Sequence, residues 1–297
     1  MKTVYIQHPI SKTVRDETEE CVLALGFFDG VHIGHKQLIQ TAKEIARQKK
    51  MTLAVMTFYP HPRDIVHSTQ NPMKYLTPLT VKEERFKNMG VEKLIVVKFD
   101  SAFARLSYEE FVKTYIIGFR CRHVIAGFDY HYGYMGQGNM QLLKEQGRNQ
   151  FAVTTIPKIE HDHEKISSTA IRNLLKVGLV HAVPKYLDDY YEVRGKVEKS
   201  SSFYETYQFL EILVDKDYML PASGVYRIEV EIENDIYEGV CQQVSQQGDR
   251  QALLIQLSNC TVQTCGKRLK VRWIQYIFEK QNVYEMSRYF VGDELAM

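Results

Sequence analysis

A chain of 297 residues with 44% hydrophobic and 25% charged residues has the composition of a folded protein rather than a disordered one, and a length that fits two domains. A formal net charge of +2 excludes a bulk electrostatic grip on nucleic acid. Five cysteines (Cys21, Cys121, Cys241, Cys260 and Cys265), scattered without a C-x-x-C, argue against a disulfide framework or a zinc ribbon and for reduced thiols in a cytoplasmic chain.

The opening MKTVYIQHPI is too short in apolar length for a signal peptide, and no stretch reaches the roughly 18 apolar residues of a membrane helix. CVLALGFF (21–28) then reads as a buried strand. HKQLIQTAKEIARQ (35–48) sets Leu38, Ile39, Ala42, Ile45 and Ala46 on one helical face. TLAVMTF (52–58) predicts a strand, and LTVKEERFKNMG a helix stopped by Gly90. Next come strand EKLIVVKF, helix SYEEFVKTYIIGF, strand HVIAGFDY, a helix over 139–147 and strand FAVTTIP. SSTAIRNLLKVG opens with capping residues and closes at Gly178. This alternation predicts an α/β fold, a doubly wound parallel sheet. Beyond about residue 185, six segments rich in Val, Ile, Tyr and Phe predict a small antiparallel β-barrel, and the tail from Asn282 a closing helix. The seam is expected near HAVPKYLDDY, giving domains 1–184 and 185–297.

In such a sheet, ligands bind beyond the carboxyl ends of the strands. GFFDGVHIGH (26–35) lies at one such end, where a helix start offers unpaired N–H groups and a positive dipole end to an anion. Gly30 and Gly34 give a phosphate close access to the backbone, and His32 and His35 add side-chain donors. A metal pair lacks a third and fourth ligand nearby. A plain turn leaves the coincidence of strand, glycines, helix start and histidines unaccounted for. No Walker loop and no G-x-G-x-x-G after a strand occurs. ISSTAIR (166–172) gathers Ser167, Ser168, Thr169 and Arg172 at a second helix start. Ser and Thr there are often only caps. Two such starts in one sheet suggest a nucleoside triphosphate between them.

G-x-F-D-G-V-H-x-G-H with a downstream I-S-S-T-x-I-R resembles the nucleotidyltransferases that carry the H-x-G-H signature. TFYPHP (57–62), GFDYHYG (127–133, similar to a G-x-D-F-x-F-G pattern) and the barrel narrow the resemblance to the prokaryotic FAD synthetase family, the bifunctional riboflavin kinase/FMN adenylyltransferases. It covers nearly the whole chain. The resemblance implies transfer of AMP from ATP, with Mg2+, to FMN, giving FAD and pyrophosphate, with neither nucleic acid nor membrane as partner. It implies catalytic roles for His32, His35 and Arg172, and ATP contacts from Gly26, Phe27, Asp29, Gly30, Gly34, Ser167, Ser168 and Thr169. It places FMN against Phe58, Pro60, His61, Pro62, Phe128, Asp129 and Tyr130. KIEHDHEK (158–165) is read as a solvated loop that orders over bound nucleotide.

The barrel departs from the kinase pattern. A second glycine and then G-R-x-x-G-x-P-T-A-N should follow GKV at 195–197, where this chain has EKSSSFYETYQFLEI. No Asp or Glu stands between Asp249 and Glu279, where the kinase glutamate should fall. A riboflavin hydroxyl needs a base to accept its proton, so adenylyl transfer without kinase activity is expected. Two other readings stay open: adenylyl transfer to a different phosphate, whose enzymes lack the PHP element and the barrel, and a non-catalytic flavin- or nucleotide-binding regulator.

Overall fold

The computed structural model describes residues 1–11, 18–66, 72–161, 164–203, 207–247, 250–260 and 262–278. Two compact units divide at Ile166 and Ser167, earlier in the chain than the seam read from sequence. The tail from Asn282 lies outside the described residues, as does His163.

The first unit is built on a six-stranded parallel sheet: β1 (Lys2–Ile6), β2 (Cys21–Leu25), β3 (Thr52–Tyr59), β4 (Lys93–Lys98), β5 (Cys121–Gly127) and β6 (Ala152–Ile156). The spatial order is β1-β4-β3-β2-β5-β6. Every residue of β2 is buried, as a strand covered on both faces requires. One face carries Val22, Ala24, Leu53, Val55, Leu94 and Val96, covered by Leu38, Ile39, Ala42 and Ala46 of helix α1 (Ile33–Lys49). The other carries Leu23, Leu25, Met56, Ile95 and Val97, packed against Phe103, Phe111, Tyr115 and Phe119. The short helix α2 (Pro62–Val66) and α3 (Leu79–Asn88) follow β3. The segment expected as one helix over 107–119 starts as α4 (Tyr108–Phe111) under a Ser107–Glu110 capping box and continues as a π-helical stretch, Val112–Ile117. Helix α5 (Met140–Gln146) starts at the cap Asn139. β1, which sequence patterning left unassigned, pairs in parallel with β4.

A short hairpin, β7 (Glu160–His161) with β8 (Glu164–Lys165), stands where a solvated loop was expected. In the second unit, helix α6 (Ser168–Lys176) precedes a closed antiparallel barrel of β9 (Tyr191–Phe203), β10 (Tyr207–Val214), β11 (Val225–Ile232), β12 (Asp235–Gln247), β13 (Arg250–Ser258) and β14 (Arg268–Phe278). Burial alternates strictly along β10, so Leu210, Ile212 and Val214 face the interior. Among the described residues closure leaves the barrel no edge strand, which removes the usual hazard of an exposed ladder. The doubly wound sheet followed by a small barrel is the architecture read from sequence.

Candidate active site

The connection out of β2 runs to β3 on one side, while β5 lies on its other side. That reversal opens a crevice at the carboxyl ends of these strands, the standard ligand position in an open α/β sheet. Three of the sequence motifs leave these three adjacent strand ends.

β2 stops at Leu25 rather than Phe28, because Phe28 is left-handed (φ 57°, ψ 33°). Its ring folds back over Gly26, where a side chain's first carbon would lie 2.9 Å from Phe28 Cζ. Gly30 (φ 81°) and Val31 (φ 46°) continue the left-handed turn. A β-branched residue there is a strained outlier of the kind that collects at functional loops. Buried Asp29 pins the turn: its carboxylate accepts the N–H groups of Leu76 at 3.2 Å and Thr77 at 3.0 Å. Arg85 Nη1 donates to the Gly30 carbonyl at 3.1 Å, so α3 buttresses the turn from behind.

His32 caps α1, its Nδ1 accepting the backbone N–H of His35 at 3.3 Å. A neutral His32 therefore carries its proton on Nε2. The two imidazoles stack, 3.6 Å between centroids and 16° from parallel, and Phe28 meets His35 edge-on at 5.2 Å. Gly34 makes the stack possible, since a Cβ there would lie 3.2 Å from His32 Cε1 and Nδ1. Burial lowers the His32 pKa to about 4, against the opposing pull of Asp29. Burial, His32 and Lys82 push His35 well below the usual histidine range. The site thus presents two neutral rings and a helix start to an incoming anion.

From β3, Tyr59 leads into Pro60, His61 and Pro62. His61 packs edge-on against Phe27 with centroids 4.3 Å apart, joining the PHP loop to the H-x-G-H turn. Its backbone N–H donates to Tyr75 Oη at 3.1 Å, and its Nδ1 accepts from Arg63 N–H at 3.0 Å. Beside this loop lies a cavity of about 430 Å³. Phe58, Pro62, Phe99, Phe103, Phe111, Tyr130 and Tyr132 line it. Its size suits a small ligand, and its aromatic walls suit a flat one. From β5, Tyr130 reaches this cavity, while Phe128 is 44% exposed and faces Lys165 Nζ, 4.8 Å from its ring centroid. Asp129 pairs with Lys165 of the hairpin.

The structure thus gathers His32, His35, Phe27, His61, Phe58, Pro62 and Tyr130 at one sheet edge. Lys82, Arg85 and Tyr75 belong to the same neighbourhood and were not foreseen. KEER looks like a solvated helix face; the one available sign is that Lys82 stands four residues before buried Phe86, on its stripe. In the second unit, Ser167 caps α6 by accepting the Ala170 N–H at 3.2 Å. Thr169 is exposed there, and Arg172 Nη1 lies 3.5 Å from Met219 Sδ.

A family model described as FAD synthetase matches residues 14–170, more than half of the chain. A bifunctional riboflavin kinase/FMN adenylyltransferase of Bacillus subtilis is 34% identical over 93% of this chain and 90% of its own length. A Listeria monocytogenes protein named FAD synthetase is 31% identical over 73% of this chain and 85% of its own. The solved structure of a Streptococcus pneumoniae protein described as a macrolide-efflux protein superposes with a TM-score of 0.82 at 26% identity, covering 96% of this chain and 95% of that one. Among the described residues no helix is long and apolar enough to cross a membrane. By both the family model and the Bacillus subtilis relative, the chain belongs to the FAD synthetase family.

Proposed function

We propose that the chain transfers AMP from ATP to the phosphate of FMN, forming FAD and pyrophosphate, with residues 1–184 as the transferase module. One observation carries this reading. The stacked His32–His35 pair meets Phe28, whose neighbour Phe27 meets His61, and Pro62 next to it lines an aromatic cavity.

A phosphate oxygen of FMN attacks the α-phosphorus of ATP; the new P–O bond forms as the bridge to the β-phosphate breaks, and pyrophosphate departs with the electron pair. The attacking phosphate has a second pKa near ~6, so it is largely ionised at neutral pH and needs no base. Catalysis is then positioning and charge stabilisation. His32 Nε2–H, His35 and the first N–H groups of α1 donate to the α- and β-phosphate oxygens. Gly26, Gly30 and Gly34 shape the turn that lets the triphosphate approach. In this reading Ser167, Ser168, Thr169 and Arg172 form the family's second phosphate-binding motif.

Asp29 serves this site as the buried latch that holds the turn. The cavity takes the isoalloxazine ring against Phe58 and Tyr130, with Pro60, His61 and Pro62 stiffening its edge, while Phe128, outside the lining, and Asp129 are assigned to the rest of FMN. No group of three or more His, Cys, Asp or Glu able to hold a metal occurs among the described residues. Mg2+, entering with ATP, would supply neutralisation of phosphate charge at this site. Free cysteines, four of them buried, fit a reducing cytoplasm.

Kinase activity is absent in this reading. Where a phosphate cradle would need free N–H groups, β9 and β10 pair from Gly195–Val214 out to Phe203–Tyr207. β13 (RQALLIQLS) holds no carboxylate to act as base. Purified protein given ATP, Mg2+ and FMN should release FAD and pyrophosphate; given riboflavin instead, it should form no FMN. FMN bound without turnover would favour a regulator, and product from another phosphate acceptor alone a different transferase.

A further inference from the structure

We propose that Lys82 is a positioning residue of the transfer site, holding Phe27 so that the H-x-G-H turn and the PHP loop keep one geometry. Lys82 is 2% exposed. Its Nζ donates to the Phe27 carbonyl at 2.8 Å, and Thr57 Oγ1 donates to the same oxygen at 3.0 Å. The same Nζ lies 4.0 Å from the Phe27 ring centroid, a cation–π contact in a desolvated place.

Packing alone does not call for this arrangement. A buried ammonium disfavours folding, and a methionine of similar volume would fill the space without that penalty. Two things follow from a cation here. A carbonyl in the turn that receives phosphates would repel them if it faced the crevice; two donors keep this one turned inward. The ring of Phe27 is fixed from the Lys82 side and meets His61 edge-on at 4.3 Å, while Pro62, next in the chain, lines the cavity. A shift at Lys82 is therefore felt at both the phosphate end and the flavin end. Its charge adds, after burial and His32, to what opposes protonation of His35.

The inference rests on the transfer reaction proposed above. Its test is steady-state FAD formation by the wild-type chain, Lys82→Met, Lys82→Arg and Thr57→Val, with folding followed by circular dichroism. Lys82→Met is expected to lower kcat on the order of 10²-fold, the penalty of a reacting group misplaced by about 1 Å. KM for ATP and FMN should move less than about threefold, because ground-state contacts remain. Lys82→Arg should recover part of the loss, and Thr57→Val should show a smaller loss, also in kcat. An unchanged kcat in Lys82→Met, or a loss confined to KM, overturns the role. If Lys82→Met does not fold, wild-type kcat in both Lys82→Arg and Thr57→Val overturns it. A wild-type chain that forms no FAD refutes the functional reading and this inference together; an active wild type beside a fully active Lys82→Met refutes this inference alone.

Discussion

His32 and His35 lie face to face, 3.6 Å between ring centroids, with the backbone N–H of His35 donating to Nδ1 of His32. Neither ring can take a proton without pressing a charge on the other and on a desolvated surrounding. Burial therefore favours neutral rings at neutral pH, and an anion bound beside them would favour the protonated form. In a proton NMR titration His32 should show a midpoint near 4 without ligand. Adding ATP should move that midpoint upward. A ligand-free midpoint at the ordinary 6.5, unmoved by ATP, would show that the ring is neither buried nor facing an anion site.

The same burial sets an acid limit on stability. The folded pKa of His32 is below its unfolded value of 6.5, so the unfolded chain binds more protons between the two. The stabilisation is complete above pH 6.5 and is lost progressively as pH falls towards about 4. Full protonation removes about 3 kcal/mol from this one group. Denaturant unfolding of His32→Gln should lose part of the pH dependence in this window, while keeping the dependence that other groups supply. An identical slope in both proteins would mean that His32 titrates normally.

Gly34 is required by the histidine as much as by any ligand. A Cβ there would stand 3.2 Å from two atoms of the His32 ring, so Gly34→Ala must shift the ring by a few tenths of an ångström from its place in the stack. Alanine suits a helix better than glycine, and on propensity alone the change should add up to about 1 kcal/mol of stability. Activity should nevertheless fall by roughly 10² to 10³, as when a single preorganised donor is lost. Stability retained with activity lost separates the ring's placement from a folding defect; wild-type kcat would show that the stack is dispensable.

Much of this was legible because local signals and global fold agree. β2, α1 and β3 announce themselves by apolar runs and by the i, i+3, i+4 spacing of Leu38, Ile39 and Ala42. The motif glycines and histidines fall where an α/β sheet puts its ligands. What stayed hidden depends on tertiary packing. β1 is a five-residue edge strand, half exposed, with no pattern beyond VYI. The π-helical turn at 112–117 keeps the apolar content of an ordinary helix. Lys82 is a charged residue whose burial is decided by Phe27, a residue 55 positions away in sequence. Asp29 binds the N–H groups of Leu76 and Thr77, 47 and 48 positions away, a pairing only the fold shows.

That carboxylate gives a conservative test. Asp29→Asn keeps shape and volume but presents an NH2 to one of two N–H donors, leaving a buried donor unpaired. The expected loss is about 1–3 kcal/mol, measurable as a lowered denaturant midpoint at unchanged slope. Because the same turn carries His32, kcat should fall as well. Loss of stability with full activity per folded molecule would confine Asp29 to folding.

The aromatic cavity, proposed above for the flavin ring, can be disturbed separately through Gly133. It has φ 73°, and a Cβ there would lie 2.7 Å from both N and Cα of Tyr108, the first residue of α4. Backbone atoms cannot yield as a flexible side chain can. Alanine at 133 must therefore move the loop away from α4 or the start of α4 away from the loop, in addition to adopting a conformation that costs about 1–3 kcal/mol for a residue with a side chain. Gly133 and Phe111, the last residue of α4, both line the aromatic cavity, so either movement opens its wall. The H-x-G-H turn, which follows β2, is not touched. Gly133→Ala should raise KM for FMN by tenfold or more while leaving KM for ATP within about twofold, and the variant should unfold at lower denaturant. Equal weakening of both substrates would indicate general loosening of the unit. An unchanged KM for FMN in a folded Gly133→Ala chain would remove the flavin ring from this cavity and send the search for its site elsewhere on the molecule.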